Sequence, residues 1–201
     1  MIKIYKTNTL VACFVALLFV IASQSSFSGD KKSPEPLPRV KFETTSGDFV
    51  IELYPDKAPV TVANFLQYID EGFYVGTIFH RVVPNFVIQG GGFNFEFQRK
   101  ETRDPIINES DNGLDNEVAT LSMARTSDPG SATSQFFINL KHNEALDYSK
   151  KTKTGYAVFG KIVEGFETAR KIEREPRGTV YRSRPEAPNF SVIVEATYRL
   201  Q

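Results

Sequence analysis

The sequence predicts a mainly β fold of eight short strands with two helices, arranged as a barrel or a sandwich. Three observations point there. Apolar residues alternate in short runs along most of the chain. Only two stretches space their apolar residues as a helix does. Gly, Pro, Asn and Asp separate the runs. Periodicity alone leaves barrel and sandwich open, and no internal repeat is present.

The elements follow in order. Val40 to Tyr54 alternates Val40, Phe42, then Phe49, Ile51 and Leu53 around Ser46-Gly47, the pattern of a hairpin with one buried face per strand. APVTVANFLQYIDEG, from Ala58, places Pro59 in a first helical turn and repeats Val62, Phe65, Leu66 and Ile69 at helical spacing; Gly72 suits its stop. Strand patterns then fall at 77–82, 85–89, 118–124, 135–140 and 156–162. FETARKIE, 166–173, predicts the second helix, with Phe166, Ala169 and Ile172 inward and Pro176 beyond its end. FSVIVEATYRL, 190–200, closes the chain as a strand. Two long polar loops, 93–117 and 126–134, have the length and composition of functional loops.

The remaining N-terminal sequence reads as targeting. Lys3 and Lys6 precede an unbroken apolar run of 13 residues, Leu10 to Ala22, too short for a spanning helix and followed by small residues. The expectation is a signal peptide over 1–29, cleaved between Ala22 and Asp30, with an uncleaved anchor as the alternative. LVAC before Cys13 has the form of a lipidation signal but lies upstream of most of the apolar run. Residues 30–38, with three prolines, read as a linker, and the domain as 39–201. An exported protein follows, periplasmic if its cell has such a compartment.

Bulk composition excludes several classes. The 201 residues carry 24 basic and 24 acidic side chains, and beyond residue 29 the balance is 22 against 24, which is not a nucleic-acid binder's surface. This balance, without a long apolar surface run, favours a monomer. Cys13 is the only cysteine, so the domain has no disulfide, thiol nucleophile or thiolate metal site. Two histidines without spaced carboxylates do not make a metal centre, and neither lies near a Gly-x-Ser-x-Gly elbow. Gly90-Gly91-Gly92 lacks the continuation of a phosphate loop and reads as a close backbone approach. What remains is a site able to bind and polarise rather than to form covalent bonds.

FHRVVPNFVIQGGG, Phe79 to Gly92, poses the main question: an arginine sits at the centre of an apolar strand pattern. A guanidinium is costly to bury unpaired, so Arg81 is either a structural ion-pair partner or a surface group awaiting a ligand. Taken alone, Phe86 and Phe137 read as barrel core rather than pocket. His80 reads as a packed, hydrogen-bonded structural residue, and Asn108 and Glu109 as stabilisers of their loop.

That stretch, with SMARTSDPGSATSQFFINL and GYAVFGKI, resembles the cyclophilin family of peptidyl-prolyl isomerases, most nearly its bacterial exported type, over roughly Val40 to Tyr198. APVTVANF and NESDNGL add to the likeness. The resemblance implies a closed eight-stranded antiparallel barrel capped by two helices. It implies isomerisation of Xaa-Pro bonds without cofactor or metal, acting on proline-containing peptides and unfolded exported proteins. Arg81, Phe86 and Gln89 correspond to the family's catalytic positions; Val87, Ala124, Arg125, Gln135, Phe137, Leu146 and Tyr156 correspond to its substrate-binding ones. A non-catalytic peptide-binding or chaperone module using the same groove is the alternative.

Several positions depart from the family pattern. Ala145 stands where many relatives carry tryptophan, so at most weak cyclosporin binding is implied. Asn85 replaces a glycine, Val87 a methionine and Tyr156 a histidine, and 148–155 resembles an insertion. Asn tolerates left-handed backbone, so the turn after Pro84 can survive the exchange.

Overall fold

A computed structural model describes residues 36–178, 180 and 183–200. The N-terminal segment read as a signal, and most of the proline-rich linker, lie outside the described residues.

The first hairpin forms as its alternation requires. β1 (Arg39–Thr44) pairs antiparallel with β2 (Gly47–Leu53), from Arg39 opposite Glu52 to Thr44 opposite Gly47. α1 (Pro59–Asp70) follows, with proline in its first turn and no capping side chain from Ala58. The cap comes from a distant carboxylate instead: Val60 and Thr61 N–H donate to Glu109 at 3.1 and 2.8 Å. Gly72, at φ 64°, ends the helix, and its N–H donates to the Ile69 carbonyl at 3.0 Å. The remaining elements are β3 (Arg81–Val83), β4 (Val87–Gly90), β5 (Thr120–Met123), β6 (Phe136–Asn139), β7 (Val158–Glu164), α2 (Phe166–Arg174) and β8 (Val194–Leu200). Single 3₁₀ turns lie at Pro129–Ser131 and Glu144–Leu146.

All eight strands join one antiparallel sheet in the order β3-β4-β6-β5-β7-β2-β1-β8. The sheet curls, but it is an open curled half-barrel, which corrects the closed barrel that the resemblance implied. β3 and β8 stand at the two ends without a ladder between them. The physical reason lies at the outer edge of β3. Residues 76–79 hydrogen-bond alternately to both sides, Ile78 N–H to Phe93 and Gly76 and Phe79 N–H to Val194 and Val192, but Val82 N–H goes to the Glu186 carbonyl in the loop before β8. Among the described residues the seam holds one isolated bridge, Ile78 to Ile193, and no ladder. The strand expected over 77–82 therefore begins only at Arg81.

The inner face of the curl is filled by aromatic rings. Phe42, Phe49, Phe65, Tyr74, Phe79, Phe136 and Phe159 are all at most 1% exposed. Phe136 meets four of them, with centroids 5.8 Å from Phe42, 5.7 Å from Phe65, 5.6 Å from Tyr74 and 6.2 Å from Phe79, all steeply inclined. The two helices add Val62, Phe65, Ile69, Ala169 and Ile172 to this core.

His80 lies at the seam, its ring edge-on to Phe93 at 4.7 Å and its Nδ1 buried without a hydrogen-bond partner. Burial lowers its pKa to about 4, and the nearby Arg184, Arg81 and Arg99 cations push the same way. The ring is thus neutral at pH 7.

Two predictions follow from this packing. Phe136→Ala should lower the unfolding free energy by about 3–5 kcal/mol in denaturant titration, because four rigid rings cannot close the void. The second concerns acid. The unfolded chain binds a proton to His80 near pH 6.5, the folded chain only near 4. Stability therefore falls as pH drops through this window, by about 3 kcal/mol at pH 4. Titrations at pH 7 and pH 4 should show this extra loss in the native protein and not in His80→Gln.

Candidate functional site

Strand alternation sorts the residues of FHRVVPNFVIQGGG between two faces. Val82 and Ile88 point into the core, while Arg81, Val87 and Gln89 belong to the outer face. On β6 the inward residues are Phe136 and Ile138, and Phe137 faces out. Register then aligns the outer side chains. Arg81 lies opposite Gln89, Gln89 opposite Phe137, and Phe137 opposite Ser122, a row across four strands.

Above this row lies a cavity of about 290 Å³ lined by Arg81, Phe86, Val87, Gln89, Ala124, Arg125, Phe137, Leu146 and Tyr156. These are nine of the ten residues singled out by sequence. The tenth, Gln135, stands behind them and accepts a hydrogen bond from Gln89 Nε2 at 2.9 Å. Phe137 and Val87 are nearly fully buried yet lie outside the core cluster, so they form the cavity floor. Ala145 is exposed and is not among the lining residues.

The glycine run serves this arrangement. Gly91 has φ 79°, and a Cβ there would stand 2.9 Å from both the Ser134 carbonyl and the Tyr74 ring. A Cβ at Gly92 would meet the Gln135 side chain at 2.5 Å. Glycine thus leaves room for the glutamine that holds Gln89.

Arg81 is paired and still lines the cavity. Its Nε donates to Glu186 Oε2 at 2.6 Å, so it has an ion-pair partner. Its side chain still lines the cavity and is 34% exposed. It is a paired cation at the edge of a groove.

Arg125 builds the opposite wall. Its guanidinium lies over the Tyr156 ring at 4.4 Å and donates to the carbonyls of Gly155 and Thr126. The Tyr156 ring in turn meets Phe137 at 5.5 Å. Ala124 N–H is spent on the Gln135 carbonyl at 2.9 Å. The segment 148–155 folds back on itself through a bridge between Ser149 and Thr154, and it supplies the Gly155 carbonyl that Arg125 grips.

The pocket rests on buried amides that sequence reasoning did not single out. Asn143 Nδ2 donates to the Phe86 carbonyl at 3.0 Å and to Asn139 Oδ1 at 2.7 Å. Asn139 Nδ2 donates to Asn116 Oδ1 at 3.2 Å and Thr120 Oγ1 at 2.9 Å, and Ser122 Oγ also donates to Asn116 Oδ1. Asn116 Nδ2 donates to Asp147 Oδ1 at 3.0 Å. The Asn143 carbonyl accepts from Leu146 N–H, which fixes the turn carrying the pocket leucine. The two walls, Phe86 and Leu146, are thereby tied to one network. The sequence signal was confined to Thr120, Ser122 and Asn139, polar residues within apolar strands; Asn116 and Asn143 lie in loops.

A second support lies under the turn between β3 and β4. Asn85 has φ 54°, and its N–H donates to Glu173 Oε1 at 2.8 Å. Burial pushes the Glu173 carboxyl up, but this bond and the Arg170 guanidinium outweigh it and hold the pKa below its ordinary value. Arg170 also donates to the Leu140 carbonyl, so α2 braces β6 and the turn together. Asn108 and Glu109 serve structure, through the Gly155 carbonyl and the start of α1.

Comparison with known proteins places this geometry. The family model "cyclophilin type peptidyl-prolyl cis-trans isomerase" matches residues 39–197. A peptidyl-prolyl cis-trans isomerase of Acinetobacter baylyi is 50% identical over 158 residues, covering 78% of this chain and 84% of that protein. Isomerase A of Dickeya dadantii is 44% identical over 184 residues, 90% of this chain and 94% of its own. A crystal structure of a Cryptosporidium parvum cyclophilin-type isomerase, determined in the presence of the dipeptide Ala-Pro, superposes with a TM-score of 0.63. It is 28% identical and covers 81% of this chain and 99% of that one. The groove of Arg81, Phe86 and Gln89 is carried by a chain that belongs to the cyclophilin-type peptidyl-prolyl cis-trans isomerases.

Proposed function

We propose that this peptidyl-prolyl cis-trans isomerase turns over Xaa-Pro bonds in the outer groove, with Arg81 as the group that stabilises the twisted bond. The observation behind it is the row of Arg81, Gln89 and Phe137, which sets a cation, an amide and an apolar floor side by side on three strands.

The chemistry explains why so spare a site is sufficient. Amide resonance raises a barrier of about 18–20 kcal/mol to rotation. Cis and trans Xaa-Pro are nearly balanced but exchange over tens to hundreds of seconds. Rotation breaks no bond and leaves no charged intermediate. The catalyst must only favour the state in which resonance is lost and the proline nitrogen is pyramidal. Each roughly 1.4 kcal/mol of such preference gives about tenfold in rate.

The roles divide accordingly. Phe86, Val87, Phe137 and Leu146 hold the proline ring; the cavity they line, about 290 Å³, suits so compact an apolar group. Arg81 donates to the lone pair developing on the proline nitrogen or to the rotating carbonyl oxygen. Gln89, held by Gln135, orients Arg81 and the peptide. Ala124, Arg125 and Tyr156 hold the residue before proline. The substrates are proline-containing peptides and, by extension, unfolded chains. Export belongs to the same proposal: the Lys3 and Lys6 region and the Leu10–Ala22 run support delivery to the periplasm, where newly exported chains meet the groove.

Arg81→Ala tests the assignment. Turnover of an Ala-Pro peptide, followed by NMR exchange, should fall about 100-fold, as on losing one preorganised donor. Peptide affinity should change less than threefold by titration. Equal losses in turnover and affinity would reduce Arg81 to a binding group, and binding with slow exchange in the native protein would identify a peptide-binding module.

A further inference from the structure

Glu186 comes from the loop between α2 and β8, 105 residues from Arg81 in sequence. It grips the Arg81 strand at two points. Its carbonyl accepts the Val82 N–H at 2.7 Å, and its carboxylate accepts Arg81 Nε–H at 2.6 Å. One residue thus fixes both the backbone of β3 and the side chain that leaves it. The loop is itself anchored: Ala187 is 1% exposed and its N–H donates to the Arg184 carbonyl, while Asn189 N–H donates to the Pro176 carbonyl.

The grip comes from behind. Arg81 separates the groove from a second cavity, of about 360 Å³, lined by His80, Ser183, Arg184, Pro185, Glu186 and Ala187. Glu186 belongs to that cavity and not to the groove. Only Nε is engaged among the described residues, which leaves the Nη donors for the groove side. The pair is half exposed, with side chains 34% and 49% accessible, so its value to the fold is small. Its value to direction is larger. A long cationic side chain loses rotamer freedom once its Nε is held, and its planar fork then has one orientation.

We propose that Glu186 is a positioning residue for Arg81, holding the guanidinium plane so that its free N–H groups meet the substrate bond. This inference rests on the role assigned to Arg81 above. The reaction needs that donor only in the twisted state, so loss of Glu186 lowers kcat and spares KM.

The test compares Glu186→Ala, Glu186→Gln and Arg81→Ala, singly and with Glu186→Ala added to Arg81→Ala, by NMR exchange of an Ala-Pro peptide and by thermal melting. Glu186→Ala should lower kcat about tenfold with KM within twofold and little change in melting temperature. Glu186→Gln keeps an acceptor oxygen and should stay within about threefold of the native kcat. Glu186→Ala should have no further effect in the Arg81→Ala protein. A native or raised kcat in Glu186→Ala overturns the proposal, the latter in favour of a restraining latch. An equal loss in the double variant overturns it in favour of a general structural role, and a Gln variant as slow as Ala overturns it in favour of a charge effect. If Arg81→Ala alone retains full turnover, the assignment of Arg81 itself fails, an outcome distinct from the failure of Glu186.

Discussion

The pleat of β3, β4 and β6 is the constraint on which the rest depends. Successive side chains must alternate between the two faces of a strand, so each strand does two jobs within a few residues. Val82, Ile88, Phe136 and Ile138 fill the curl, and Arg81, Gln89 and Phe137 stand outside it. A slip of one residue in β3 would bury the guanidinium among rings, and a slip in β4 or β6 would turn Ile88 or Phe136 and Ile138 out of the core. The aromatic packing inside therefore fixes the register of the site outside. Hydrophobic burial supplies the energy, and the antiparallel ladder converts it into the positions of polar groups.

The outer face also needs support that ordinary sheet packing does not give. Phe137 and Val87 share the cavity with Leu146 and Tyr156, which come from loops. Loops have no ladder of their own, so their amides are tied by side chains. Asn116, Asn139 and Asn143 are at most 3% exposed and bond one another, the Phe86 carbonyl and Asp147. Each such amide would be costly if left unpaired. Linked together, they admit one arrangement of the pocket walls, which suits a catalyst that works by preorganisation rather than by covalent chemistry.

Much of this was legible in sequence, and the exceptions share a cause. α1, α2 and the first hairpin follow from local spacing and appear within a few residues of expectation. Eight of the nine lining residues were accessible because three long motifs carry them together, and Leu146 because it stands in the short Ala-Leu-Asp stretch between them. Glu186, Glu173 and Glu109 were not, since each acts on a residue at least 48 positions away and sits in a segment of ordinary polar composition. No period or motif marks a lone glutamate as a partner. The closed barrel failed for a related reason. Alternation at 77–82 reads as one strand, but it records side-chain facing, not amide partners, and the Val82 amide goes to the Glu186 carbonyl of a loop rather than to β8.

The electrostatics of the groove follow from where its cations are held. Arg125 is committed to backbone carbonyls and a tyrosine face, which leaves it a wall. Among the described residues, Arg81 is committed through one nitrogen. Two arginines in one groove thus differ in how many donors remain to offer. Rotation about a prolyl bond asks for a donor that is present but not saturated, since a fully paired guanidinium has nothing left for a transient lone pair. An unpaired one would wander and stay hydrated. On the proposed mechanism a single carboxylate on the far side meets both demands, and it accounts for an arginine at the centre of an apolar strand: its charge is met from behind while the side chain lines the groove.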